Sequence, residues 1–144
     1  MTENKINTAV IGYGFSGSIF FAPFLHLHDG FELIGAVERN TKKIQKDYDY
    51  VKSFDTIDEL LNDNTIELVV VNTPIDTHYE LAKKVLEAGK NIIVEKTFTN
   101  NAEQALELFE LAKSKNLHLF VFNINIFSTF YQVSIIAKLI EEGK

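Results

Sequence analysis

The sequence predicts an α/β fold: a doubly wound, mostly parallel sheet in a three-layer α/β/α arrangement. Three observations carry this reading. Short apolar, β-branched runs alternate with helical patterns along the chain, and Ile66-Glu67-Leu68-Val69-Val70-Val71 is continuous enough to mark a strand covered on both faces. The connections span only a few residues, so right-handed crossovers wind helices onto both sides of one sheet. The chain has 144 residues, about one domain, and a domain of this size buries about 70% of its unfolded surface.

Taken in order, Ile6 to Ile11 reads as a buried strand. Ser16 to about His28 reads as a helix with Ile19, Phe20, Phe24 and Leu27 on one face. Asp29-Gly30 turns the chain into a second strand, Phe31 to Val37, and a lysine-rich stretch from Arg39 to Lys46 suits a short helix. Val51 to Phe54 suits a short third strand, and Asp55 is the expected cap of a helix from Thr56 to Asn62. After the fourth strand, Thr77-His78-Tyr79-Glu80 has the form of a capping box, and Gly89 closes the helix it opens. Asn91 to Glu95 is a fifth strand, Asn100-Asn101-Ala102-Glu103 opens a helix to about Lys115, His118 to about Ile124 is strand-like, and Ser128 to Glu142 is helical.

Composition excludes several classes. Hydrophobic residues are 46% and charged residues 24%, an ordinary globular balance. No apolar run approaches the roughly 18 residues of a membrane span, and residues 1 to 8 lack the pattern of a signal peptide. The absence of cysteine fits a reducing compartment, so a cytoplasmic location is expected. A formal charge of −6, with no lysine and arginine cluster beyond Lys42-Lys43 and Lys83-Lys84, argues against nucleic-acid binding. No pair of histidines has metal spacing backed by acidic ligands, so no metal site is expected.

The chemistry concentrates at the ends of strands. Gly12-Tyr13-Gly14-Phe15-Ser16-Gly17 follows the first strand and opens the first helix. Gly12 suits a tight turn, Gly14 allows backbone approach to a pyrophosphate, and Gly17 lets helix and strand pack closely. The helix start offers free N–H groups and partial positive charge to phosphates. Glu38 ends the second strand about 20 residues on, where an acidic side chain accepts ribose hydroxyls. Its charge opposes a 2'-phosphate and points to NAD, while Arg39, able to stack on adenine or pair with a phosphate, keeps NADP open. Two further groups lie at carboxyl ends of strands: Asn72-Thr73-Pro74 with His78, and Glu95-Lys96, whose lysine can assist proton transfer to a substrate hydroxyl.

The glycine turn, Ala36-Val37-Glu38-Arg39-Asn40, Thr73-Pro74 with Thr77-His78, and Val94-Glu95-Lys96 together resemble the glucose-fructose oxidoreductase/inositol dehydrogenase (Gfo/Idh/MocA) family over essentially the whole chain. That resemblance implies an amino-terminal Rossmann domain, hydride transfer between NAD(P) and a sugar, inositol or related polyol, and a larger substrate and dimerisation domain. It implies that Thr73, Pro74 and His78 line the dinucleotide site and that Lys96 lies near the reacting carbon. Two departures stand out. Thr97 replaces a proline that is often preceded by a cis peptide, a bond that costs several kcal/mol before threonine. Residues 122 to 131 are rich in apolar side chains where relatives carry polar ones.

The expected organisation is a Rossmann domain over residues 1–124, with 125–144 a helix leading towards a second domain absent from this sequence. In that final helix Phe130, Val133, Ile136, Ala137 and Ile140 form one apolar stripe, and Tyr131, Ile135 and Leu139 another. One stripe can cover the sheet; the other invites a homo-oligomer. The isolated chain is expected to bind dinucleotide weakly and turn over little. The alternative is a nucleotide-responsive binding or regulatory module without catalysis.

Overall fold

A computed structural model describes residues 5–38, 42–122 and 129–143, with the side chains of 129–134 outside the description. Six strands, β1 (Ile6–Ile11), β2 (Phe31–Val37), β3 (Lys52–Phe54), β4 (Leu68–Val71), β5 (Asn91–Glu95) and β6 (Leu119–Phe122), form one sheet in the order β3-β2-β1-β4-β5-β6. Every neighbouring pair is parallel. The helices are α1 (Ala22–Leu27), α2 (Ile44–Asp47), α3 (Ile57–Asn62), α4 (His78–Glu87), α5 (Ala102–Ser114) and α6 (Thr129–Glu141).

The alternation of side chains along each strand divides the core into two layers. Val10, Leu68, Val70 and Ile93 pack with Phe21, Ala22 and Leu25 and with Ile136 and Ala137 of α6. Ala9, Ile11, Val69, Val71, Ile92 and Val94 pack with Leu60 of α3, Ala82 and Leu86 of α4, and Leu108 of α5. A sheet covered on both faces explains why β4 carries no polar position.

The first helical segment departs from its expected face. The chain turns through a π-helical segment, Gly17–Phe21, in which the Ala22 N–H donates to the Gly17 carbonyl, before α1 begins. The wider turn rotates the helix, so Phe21, Ala22 and Leu25 are buried while Ile19 and Leu27 are exposed. Two caps also move. Thr56 rather than Asp55 caps α3: its hydroxyl accepts the Glu59 N–H at 3.1 Å, and the Glu59 carboxylate accepts the Asp55 N–H at 3.1 Å. Thr77 does not form the expected capping box, because residues Ile75–Thr77 make a 3-10 turn and the Thr77 hydroxyl donates to the Pro74 carbonyl at 2.7 Å. Asn101 does cap α5, accepting the Gln104 N–H at 2.9 Å, and Gly89 ends α4 with φ +75°.

Ile136 and Ala137 of α6 are buried, and Ala137 lies so close to the Asp29-Gly30 turn that a Cβ on Gly30 would be 3.0 Å from it. Ile135, on the second stripe, is exposed. Phe130, Tyr131 and Val133 lie among the undescribed side chains, as does most of the 122–131 segment. No helix among the described residues is long and apolar enough to cross a membrane.

Asp63, after α3, supplies a pH test of the fold. Its carboxylate accepts the Thr65 hydroxyl at 2.6 Å and the Thr65 N–H at 3.0 Å, which hold it below the usual carboxylate range. A depressed folded value stabilises the fold above the unfolded value, and this contribution is lost as pH falls through the folded one. Asp63→Asn should therefore be destabilising at neutral pH, with a deficit that shrinks below about pH 4. Urea midpoints across that range check it; a deficit independent of pH contradicts the assignment.

Candidate functional site

Parallel registry brings the carboxyl ends of the strands to one edge. Ile11 pairs with Val37 on one side and Val71 on the other, Val71 pairs with Val94, and Glu95 pairs with Phe122. The residues that follow, Gly12, Glu38, Asn72 and Lys96, therefore gather around the point where strand order reverses between β1 and β4. Open α/β sheets bind ligands there.

The glycine turn is built against Asn72. Gly12 has φ +98°, and a Cβ there would be 2.2 Å from the Asn72 carbonyl oxygen. The Asn72 side chain donates to the Gly12 carbonyl at 3.0 Å, while its backbone N–H donates to Ile11 at 2.9 Å. A Cβ on Gly17 would be 2.5 Å from the Gly12 carbonyl oxygen, so Gly17 packs on the turn itself rather than on a strand side chain. Around Gly14 there is open space within 4 Å of a built Cβ.

That geometry suits a dinucleotide. The Ser16 hydroxyl is buried without a hydrogen-bond partner among the described residues, and it stands in the first turn of a helix whose leading N–H groups lack intrahelical acceptors. An anionic oxygen at the open side of Gly14 would satisfy such donors. Phe15 is 76% exposed, in edge contact with Phe20 at 6.4 Å. Tyr13 points the other way, into the core, where its hydroxyl donates to Asp47 at 2.7 Å. Burial, followed by the Asp47 carboxylate, pushes this hydroxyl above the ordinary phenol range, so it remains a donor. Tyr13 thus contributes backbone to the turn and ties it to α2.

Glu38 is also more committed than its position suggests. Its two carboxylate oxygens accept the N–H groups of Lys43 at 3.0 Å and Ile44 at 3.1 Å, anchoring the start of α2. Each oxygen has a second lone pair with which to meet a hydroxyl. Arg39 lies outside the described residues.

On the other side of the switch point, Pro74 is exposed, and the Thr73 hydroxyl contacts the Thr77 hydroxyl at 2.7 Å. Since Thr77 donates onward to Pro74, Thr73 is the donor in that contact. His78 is buried, with Nε2 2.7 Å from the Thr73 carbonyl and Nδ1 2.8 Å from the Thr97 carbonyl. Its ring joins the two loops that follow β4 and β5. Sequence reasoning missed its partner Thr97 because a backbone carbonyl leaves no signature in residue identity.

Glu95 is half-buried at the end of β5, and Lys96 is exposed, its N–H donating to Phe122 at 3.1 Å. The Lys96 side chain has no hydrogen bond or ion pair among the described residues, so its ammonium is available to a substrate. The Lys96–Thr97 peptide is cis although Thr97 stands in place of proline. Among the described residues no three histidine, aspartate or glutamate side chains gather as a metal site. A hollow of about 790 Å³ lies at the opposite edge of the sheet, but Glu32, Glu67 and Glu141 line it with a single cation, Lys5, already paired with Glu32. Its charge is wrong for a dinucleotide.

Comparison with known proteins agrees with this geometry. The family model GFO_IDH_MocA, described as oxidoreductase family, NAD-binding Rossmann fold, matches residues 6–123. The uncharacterized oxidoreductase C26H5.09c of Schizosaccharomyces pombe is 46% identical over 122 residues, covering 81% of this chain and 33% of its own length. The scyllo-inositol 2-dehydrogenase (NADP(+)) IolW of Bacillus subtilis is 33% identical over 140 residues, covering 97% of this chain and 38% of its own length. An oxidoreductase from Bacillus cereus superposes with a TM-score of 0.80 at 32% identity, over 93% of this chain and 39% of that structure. The chain thus spans between a third and two-fifths of the length of these relatives.

Proposed function

Because the chain belongs to the Gfo/Idh/MocA oxidoreductases, with their NAD-binding Rossmann fold, we propose that it forms the dinucleotide-binding part of an enzyme that moves a hydride between NAD(P) and a sugar, inositol or related polyol. The observation that carries this reading is the shared carboxyl end of the sheet, where the Gly12–Gly17 turn after β1, its Ser16 hydroxyl unpartnered among the described residues, and the exposed Lys96 after β5 stand on either side of β4. The residues 1–124 are assigned to this domain, and 125–144 to a helix leading towards the substrate and dimerisation part. The substrate class rests on relatives such as IolW, named for scyllo-inositol.

A bound nicotinamide supplies the hydride acceptor or donor; the rest falls to side chains. The backbone at Gly14 to Gly17 and the Ser16 hydroxyl hold the pyrophosphate, with Asn72 keeping the turn in shape. Thr73 and Pro74 border the cofactor. Glu38 accepts the adenosine ribose hydroxyls. In the direction of carbonyl reduction the Lys96 ammonium would donate through Nζ to the substrate carbonyl oxygen, give it a proton as that oxygen becomes a hydroxyl, and regain a proton from solvent, oxidation being the reverse, with Glu95 beside it at the strand end. General acid–base assistance of this kind contributes about 10²–10⁴-fold.

Glu38 sets the preference for NAD in this proposal, while the name of IolW and the presence of Arg39 beside Glu38 keep NADP in the comparison. Titration with NADH and NADPH, followed by nucleotide fluorescence, tests both the binding and the preference. Wild-type chain should favour NADH, and Glu38→Gln should shift the ratio of the two dissociation constants towards NADPH by about tenfold, or about 1.4 kcal/mol. No binding of either nucleotide defeats the proposal; an unchanged ratio removes Glu38 from the selection.

A further inference from the structure

His78 connects the two halves of the candidate site. Its ring is 1% exposed and lies between carbonyl oxygens of two loops that follow different strands: Thr73, beyond β4, at 2.7 Å and Thr97, beyond β5, at 2.8 Å. Carbonyls only accept, and a neutral ring carries hydrogen on one nitrogen, so a neutral tautomer bonds one loop and packs against the other, while the imidazolium bonds both. Each loop also has bonds or ring contacts of its own. On the first, Thr73 donates to Thr77, and Thr77 donates to Pro74 through both its hydroxyl and its N–H. On the second, the Lys96 N–H is bonded to Phe122, and the Phe98 ring lies 5.5 Å from that of Phe109. Between these fixed points the Thr97 carbonyl belongs to the same peptide turn from which the exposed Lys96 side chain emerges. A displacement of the Thr73 loop is therefore carried through one rigid ring to the backbone beside the lysine.

We infer that His78 is a positioning residue: it fixes the backbone that presents Lys96 relative to the loop that borders the dinucleotide. The part of this inference that concerns the cofactor rests on the proposed function; the clasp between the loops does not.

Amide hydrogen exchange on the unliganded chain tests the clasp. The reporters are the Thr77 N–H, bonded to Pro74 at 2.9 Å, and the Lys96 N–H, bonded to Phe122 at 3.1 Å. In His78→Phe both should exchange at least about tenfold faster, equivalent to about 1.4 kcal/mol of local opening, while core amides of β4 keep their protection. His78→Gln, which keeps an N–H donor, should recover much of the protection. Acceleration at one loop alone, at neither, or equally throughout the chain overturns the inference.

Long-range proton–nitrogen spectra of the wild-type ring keep the test open if the variants do not fold. Ring N–H hydrogen should resist exchange, and exchange as fast as in a free histidine overturns the clasp. With NADH added, wild-type amides at both Thr73 and Lys96 should shift, whereas in His78→Phe the Lys96 response should be lost and that of Thr73 retained. An undiminished Lys96 response defeats the coupling. Failure of wild type to bind NADH defeats the cofactor reading and leaves the exchange result to decide the clasp.

Discussion

Gly12→Ala should destabilise the chain by about 3 kcal/mol or more and abolish nucleotide binding. Two penalties coincide at this residue. Its φ of +98° lies where a Cβ is strained, and the built Cβ would be 2.2 Å from the Asn72 carbonyl oxygen and 2.9 Å from its carbon. The obstacle is backbone at the end of a central strand, and it cannot swing aside. Asn72 is held by its N–H on Ile11 and by its side chain on the Gly12 carbonyl, so relief would open the junction of β1 and β4. Gly14→Ala supplies the control. Nothing lies within 4 Å of its built Cβ, so stability should change by less than about 0.5 kcal/mol while nucleotide affinity falls at least tenfold. Urea unfolding and NADH fluorescence on the two variants separate folding from binding. A wild-type midpoint for Gly12→Ala contradicts the packing argument, and wild-type affinity for Gly14→Ala contradicts the placement of the pyrophosphate.

The second large effect is expected at Lys96, in a protein that joins this chain to a substrate domain. Lys96→Met keeps most of the side-chain length and removes the ammonium. Because the side chain is exposed and without a partner among the described residues, the change should leave stability within about 0.5 kcal/mol of wild type. Dehydrogenase turnover against inositols and hexoses should fall by about 10²–10⁴-fold, with the dissociation constant for NADH nearly unchanged. Turnover within threefold of wild type removes Lys96 from proton transfer. A fall in nucleotide affinity alone moves it from the substrate to the cofactor.

These two positions differ in how far their roles can be read from the chain. The Gly12, Gly14 and Gly17 spacing states its geometry in the sequence, since only glycine accepts the φ at Gly12 and leaves room for backbone at Gly17. The β-branched run of β4 states its burial on both faces, and strands separated by helical patterns lead directly to a parallel sheet. Glu38 and Lys96 were visible as residues at strand ends, because topology alone brings those ends to one edge.

Polar partners and helix faces were another matter. Phe20, Phe21, Phe24 and Leu25 offer apolar character around much of a helix, so the periodicity pointed to Ile19, Phe20, Phe24 and Leu27, and one π-helical turn chose Phe21 and Leu25 instead. Thr77 followed by Glu80 has the spacing of a capping box, yet Thr77 continues the 3-10 turn with helical backbone, φ −102° and ψ −10°, rather than the extended one of a cap, and its hydroxyl donates to Pro74. Glu38 looked free for a ribose, but the chain returns after it and presents two N–H groups to its oxygens.

By itself, then, the sequence determined the α/β class, the parallel order of buried strands and the glycine turn, because these follow from periodicity and from steric limits local to a few residues. Tertiary structure alone decided that Tyr13 reaches Asp47, that Asn72 braces the turn, and that His78 bridges the Thr73 and Thr97 carbonyls. The physical reason is that a hydrogen bond acts over about 3 Å, and the groups that come within that distance are chosen by how separate strands end and how their loops meet.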